Sequence, residues 1–125
     1  MATNREIVES LFAEGTLALD AQHEYELRHD DYVMEMPQSG ERIRGRDTMR
    51  RMQQQFPNPP QAALRRIVGS GDVWIVEATA DYGDGAVFHV ADVIEFRDGR
   101  IARETRYYAE PFEAPAWRAD FLERD

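Results

Sequence analysis

Residues 64–108 read LRRIVGSGDVWIVEATADYGDGAVFHVADVIEFRDGRIARETRYY, and this stretch decides the fold. Runs rich in β-branched and aromatic residues, Leu64–Val68, Val73–Tyr82, Ala86–Phe96 and Ile101–Tyr108, are separated by Gly69-Ser70-Gly71, Gly83-Asp84-Gly85 and Asp98-Gly99. Those separators are strong turn signals, so the segment predicts an antiparallel meander. Alternation in the third run puts Phe88, Val90, Asp92, Ile94 and Phe96 on one face. That face is otherwise apolar, so it should be the buried one. An ionised, unpaired carboxylate there would cost on the order of several kcal/mol. Asp92 must therefore be protonated or meet a cation. The next run supplies Arg103 and Arg106, with Glu104 between them. A two-residue turn at Asp98-Gly99 would place Ile101, Arg103, Thr105 and Tyr107 on the Asp92 face. A three-residue turn with a glycine bulge would place Ala102, Glu104, Arg106 and Tyr108 there instead.

Upstream the pattern is helical. Thr3 and Glu6 have the spacing of a capping box, and Ile7, Val8, Leu11 and Phe12 repeat at helical spacing, predicting a helix over Thr3–Leu17. Asp20 can cap a second helix, Ala21–Arg28. Tyr32–Met36 alternates like a short strand ending at Pro37, Gln38-Ser39-Gly40 is a turn, and Glu41–Arg44 is a second extended piece. Gly45 opens a third helix with Met49, Met52 and Phe56 as its apolar stripe, stopped by Pro57, Pro59 and Pro60. The tail from Pro111 is a loop plus a short helix around Trp117. Helices followed by a meander make one α+β domain over residues 1–125, with the helices on one face of the sheet.

Composition sets limits. At 125 residues the chain fits one domain, and 42% hydrophobic with 31% charged residues is the balance of an ordinary globular protein. A formal charge of −9 repels nucleic acid and anionic membranes. All fifteen basic residues are Arg, which rules out a Schiff-base lysine, and the absence of Cys rules out disulfides and thiolate chemistry. The three His lack metal-ligand spacing, so no metal is expected. Met1–Phe12 lacks the pattern of a signal peptide and no apolar run is long enough to span a bilayer, so a cytoplasmic location is expected.

Asp30-Asp31-Tyr32-Val33-Met34-Glu35-Met36-Pro37, then Gly45-Arg46-Asp47, then Phe96-Arg97-Asp98-Gly99-Arg100-Ile101 with Tyr107-Tyr108, come in an order that resembles the nuclear-transport-factor-2-like superfamily. The resemblance is to its polyketide-cyclase-like (SnoaL-type) branch and covers nearly the whole chain. It implies a cone-shaped, cystatin-like half-barrel in which a curved mixed or antiparallel sheet wraps about three N-terminal helices. It also implies a pocket for a small molecule and a homodimer through the sheet's outer face. Members range from isomerases, dehydratases, cyclases and hydrolases to plain binders, so the fold does not settle the activity. The ketosteroid isomerase pattern of tyrosine, carboxylate base and protonated acid falls here on Phe12, Met36 and Asp92. Only the acid is retained, which argues against isomerisation by that route. The alignment favours the register with Glu104 and Arg106 inside. An Arg flanked by two carboxylates is then similar in type to the trio of the epoxide hydrolase members, in which it activates water. The same trio would also serve as a structural ion pair.

The candidate catalytic residues are therefore Asp92, Arg106 and Glu104, with Tyr108 orienting. Expected pocket wall comprises Phe88 and Val90 beside Asp92, Trp74 on the neighbouring strand, Phe12, and Met36 and Met52 as a malleable lining. His23 is a candidate base at the rim, or a surface residue; His89 should face the dimer interface, and His29 should cap a helix end. Two functional readings follow. One is a cofactor-independent acid–base enzyme acting on a mainly apolar ligand with a carbonyl, hydroxyl or epoxide oxygen. The other is a non-catalytic binding or dimerisation module.

Overall fold

The computed structural model describes residues 2–13, 15–17 and 20–123. Its elements run α1 (Asn4–Ser10), β1 (Phe12–Ala13), β2 (Thr16–Leu17), α2 (Ala21–Leu27), β3 (Arg28–Met36), β4 (Glu41–Arg44), α3 (Arg46–Gln54), β5 (Gln61–Ser70), β6 (Val73–Asp81), β7 (Val87–Arg97) and β8 (Arg100–Ala109), then a 3₁₀ turn at Ala116–Phe121. The strands form one sheet in the order β1-β2-β5-β6-β7-β8-β3-β4. Pairing is antiparallel throughout except between β3 and β8, so the sheet is mixed. It curves without closing, and the fold is α+β. The buried core joins Ile7, Val8 and Leu11 of the N-terminal helix and its cap to Tyr32, Met34, Met49, Trp74, Val76, Ile94, Phe96 and Ile101.

Local signals place the helices. Thr3 Oγ1 accepts from the Glu6 amide at 3.1 Å while Glu6 returns a bond to the Thr3 amide at 3.0 Å, which is the capping box. Asp20 caps α2 by accepting from the His23 amide at 3.0 Å. Gly45, at φ 90°, donates to the Tyr32 carbonyl at 2.6 Å and starts α3 there, so α3 is tied to β3 at its first residue.

Three sequence expectations need correction. The first helix ends at Ser10 rather than Leu17, because Gly15 turns the chain and Thr16 pairs with Ala63 at the edge of β5. The apolar stripe of α3 does not hold: Met49 is fully buried, but Met52 and Phe56 lie at the surface, and Gln53 takes the inward position one turn after Met49. The third concerns the β7–β8 hairpin. Its turn has two residues, Asp98 at φ 52° and Gly99 at φ 80°, with Arg97 opposite Arg100. The pairing then shifts between Glu95–Arg103 and Phe96–Ile101, so Ala102 is an extra residue in β8. A short turn and a bulge therefore coexist. Ile101 is buried beside Phe96, and beyond the bulge Glu104 and Arg106 fall opposite Ile94 and Asp92.

Gly69 sits opposite Trp74 in the β5–β6 pair at φ 149°. A Cβ there would stand 2.4 Å from the Val73 carbonyl oxygen and 2.7 Å from Trp74 Cα, both backbone atoms that cannot move aside. Gly69→Ala should lower stability by about 2 kcal/mol or more, read from a denaturant midpoint.

Candidate functional site

The sheet's inner face and the helices enclose a pocket of about 100 Å3. One wall is aliphatic, from Val76, Ala78 and Ala80 of β6, Val90 of β7 and Leu11 after α1. The other is ionic: Glu24, Gln53, Asp92, Glu104 and Arg106 all line it, with Tyr108 and Phe12 beside them.

Glu104 is the centre of the ionic wall. It is 2% exposed. Its Oε2 accepts from Arg106 Nε at 3.0 Å and Nη2 at 2.9 Å, and its Oε1 accepts from the Tyr32 hydroxyl at 2.9 Å, with Arg28 Nη2 3.8 Å away. Burial alone would raise its pKa, but Arg106 and Arg28 outweigh this and hold it at about 2. Asp92 is the opposite case. Arg106 Nε is 3.7 Å from its Oδ2, while its buried Oδ1 has no donor. Burial and the neighbouring Glu104 charge push its pKa well above the usual carboxylate range. Two neighbouring buried carboxyl groups cannot both carry charge cheaply, and the donors favour Glu104. Glu104 is pinned ionised, so the proton resides on Asp92.

A second tier lies behind. Arg28, 1% exposed, donates to Glu24 Oε1 at 3.0 Å and to Gln53 Oε1 at 3.1 Å, and its guanidinium lies 4.6 Å from the Tyr32 ring centre. Gln53 donates in turn to Glu24 Oε1 at 3.1 Å. Burial raises the Glu24 pKa against the pull of Arg28. The cluster holds three carboxyl groups and two guanidiniums, and the proton on Asp92 makes it neutral.

Of the residues singled out in the sequence, Asp92, Arg106, Glu104, Tyr108, Val90 and Phe12 meet at this pocket. Others do not. Trp74 is packed in the core with its indole donating to the Gly71 carbonyl at 3.0 Å. Met36 packs against the core from its edge, and Met52 is 36% exposed. Phe88 stacks edge-on against Tyr82 at 5.6 Å and faces a separate shallow depression. His23 lies 3.3 Å from Ser10 Oγ, whose own hydroxyl donates to the Ile7 carbonyl, and it does not reach the pocket. His89 is exposed, and His29 bonds the Arg97 carbonyl instead of capping a helix. Sequence reading missed Glu24, Arg28, Tyr32 and Gln53. The four-residue spacing of Glu24 and Arg28 was a usable signal, as was the shared parity of Arg28 with Tyr32 and Met34. Nothing in the sequence marked Gln53. Among the described residues, no group of three His, Cys, Asp or Glu is placed to hold a metal ion.

The model of the SnoaL-like domain matches residues 6–104. Among solved structures, an NTF-2 like protein of unknown function from Burkholderia xenovorans is 34% identical with a TM-score of 0.82, covering 97% of this chain and 94% of that one. A ketosteroid isomerase candidate from Kribbella flavida is 27% identical with a TM-score of 0.82, covering 97% and 88%. An LEH-like epoxide hydrolase of M. tuberculosis, 24% identical with a TM-score of 0.67 and covering 82% and 80%, shares the fold. No curated protein matches.

The pKa shifts fix the pH dependence of stability. Glu104 titrates lower in the fold than in the unfolded chain, so its contribution, on the order of 3 kcal/mol, is present above pH 4.5 and lost as pH falls from 4.5 towards 2. Asp92 titrates higher in the fold, so stability declines as pH rises above 3.8, where only the unfolded chain releases that proton. Asp92→Asn, whose amide can donate to Glu104, should reduce the second slope and leave the first, with Glu24 supplying the remainder. Urea unfolding between pH 2 and 9 measures both limbs.

Proposed function

The chain belongs to the SnoaL-like domain family, and from that premise we propose that it binds a small, mainly apolar molecule bearing a carbonyl, hydroxyl or epoxide oxygen and turns it over by cofactor-independent acid–base chemistry. The observation that carries this reading is Asp92 on the pocket wall, with one oxygen 3.7 Å from Arg106 and the other without a donor among the described residues, where burial and Glu104 raise its pKa. A carboxylic acid that keeps its proton at neutral pH can hand it to a ligand oxygen as charge develops there. Arg106 would compensate the carboxylate left behind, while Glu104 and Tyr108 orient. The bonding around the trio favours hydrolysis over isomerisation: Arg106 stands between two carboxyl groups, whereas Phe12 and Met36 occupy the positions where the isomerase pattern has a tyrosine and a base. In epoxide opening, Asp92 would protonate the ring oxygen as water attacks carbon and the C–O bond breaks, and the proton released by that water would return to the Asp92 carboxylate, leaving the diol and the regenerated acid.

Cyclohexene oxide tests this directly. The wild type should convert it to the diol, and Asp92→Asn should lower the rate about 100-fold or more while the protein stays folded. Unchanged turnover in that variant refutes the assignment. The missing tyrosine and base also favour a second reading, a non-catalytic binding module. In that case cyclohexene oxide or cyclohexanone raises the melting temperature and no product forms.

We further propose that the protein acts as a cytoplasmic homodimer. Among the described residues no helix is long and apolar enough to cross a membrane. The outer face of the sheet leaves Val73, Ile75, Val87 and Tyr107 between 36% and 48% exposed, apolar side chains spread along β6, β7 and β8 among charged ones that a second copy could cover. Light scattering coupled to gel filtration should give twice the chain mass of 14.5 kDa, and charging the face with Ile75→Asp should give the monomer.

A further inference from the structure

Glu24 lines the same pocket as Asp92 and has no part in the acid–base reading. Its side chain comes from α2 and is 7% exposed. Oε1 is fully engaged, accepting from Arg28 at 3.0 Å and Gln53 at 3.1 Å. Oε2 is buried and has no donor among the described residues. Buried carboxylate oxygens nearly always have a partner, and each exception in a folded protein calls for an explanation. Here the two donors that reach the carboxylate both go to the same oxygen, so the other is left for something that the chain does not supply.

We propose that Glu24 Oε2 is the anchor for a hydroxyl group on the ligand, so that the pocket selects molecules carrying both an oxygen acceptor for Asp92 and a hydroxyl donor for Glu24. The inference rests on the reading of Asp92 given above. Charge decides between a hydroxyl and an ammonium donor. With Asp92 neutral, the charges of Glu24, Arg28, Glu104 and Arg106 cancel. A cationic ligand would bring an uncompensated charge against an aliphatic wall. Position decides the shape of the molecule. Arg28, Glu104 and Arg106 stand between the two carboxyl groups, so one ligand reaching both must carry its polar groups at separate ends of an apolar frame.

Calorimetric titration with 4-hydroxycyclohexanone, 4-methoxycyclohexanone and cyclohexylamine tests the proposal. The wild type should bind the hydroxyketone about 10-fold or more tightly than the methyl ether, which has no donor to offer. Glu24→Gln is a conservative swap, because Arg28 and Gln53 fix the amide oxygen in the place of Oε1 and leave the amide nitrogen in the place of Oε2. That variant turns the acceptor into a donor and should bring the preference below about 3-fold, since an ether can now accept. An equal preference in both proteins, no binding of the hydroxyketone, or tighter binding of cyclohexylamine would each overturn the anchor. Should Glu24→Gln fail to fold, the wild-type preference alone decides, and its absence sinks the idea. Asp92→Asn separates the two readings. If that variant turns over cyclohexene oxide at the wild-type rate while Glu24→Gln removes the preference, the acid assignment falls and the hydroxyl anchor stands.

Discussion

Glu104 keeps its negative charge inside an apolar core, and the electrostatics of the pocket follow from that single fact. A carboxylate so deeply placed survives because Tyr32 and both nitrogens of the Arg106 fork donate to it and Arg28 stands near. Removing any one of these leaves a buried charge short of donors, which is far more costly than the pair is worth on its own. Once Glu104 is ionised, Asp92 beside it cannot be. Two adjacent carboxyl groups in a medium of low dielectric separate their pKa values until one holds the proton. Arg28 extends the same logic to Glu24, tying α2 and α3 to the strands through Gln53.

This arrangement depends on one extra residue. Because side chains alternate with period two, the bulge at Ala102 decides which half of β8 faces inward. Without it, Arg103 and Tyr107 would turn inward and Glu104 would lose Tyr32. The outer face confirms the choice from the other side: there Arg103 meets Glu35 and Glu95 in ion pairs. Each Arg of β8 thus finds carboxylates on its own face, and a slipped register would break both sets at once. An uncompensated charge in the core weighs more than a weak exposed pair, so the inner set is what fixes the register.

How far the sequence could be read follows from which physical signals are local. Turns at Gly83-Asp84-Gly85 and Asp98-Gly99, the capping box at Thr3 and the alternation around Asp92 are all local, and the meander and the α+β class were legible from them. The placement of Asp92 with Arg106 and Glu104 was open between two registers, because the sequence shows the turn but not the bulge three residues beyond it. Residue parity along β6 put Trp74 inward correctly, yet inward is not the same as pocket-facing: Trp74 packs into the core with the N-terminal helix, while Ala78 and Ala80 line the hollow. Gln53 was invisible because a polar residue in a helix of mean polar character carries no mark. Its role exists only where α3 crosses Arg28.

Proteins that share this fold include an isomerase candidate and an epoxide hydrolase, so the curved sheet cannot itself specify a reaction. What it specifies is position: which atoms of β6, β7, β8 and α2 border the hollow. Protonation then decides what those atoms can do, and it is not a property of the residue that carries the proton. Asp92 makes only a long contact to Arg106; it stays neutral chiefly because it is buried and because Glu104 is charged. A neutral side chain at 104 would remove that repulsion, and Arg106, freed of its main acceptor, would turn its full charge on Asp92. The acid would then become a carboxylate with no atom of residue 92 altered. The protonation of Asp92 is therefore set by the supporting carboxylate and its donors at least as much as by residue 92 itself.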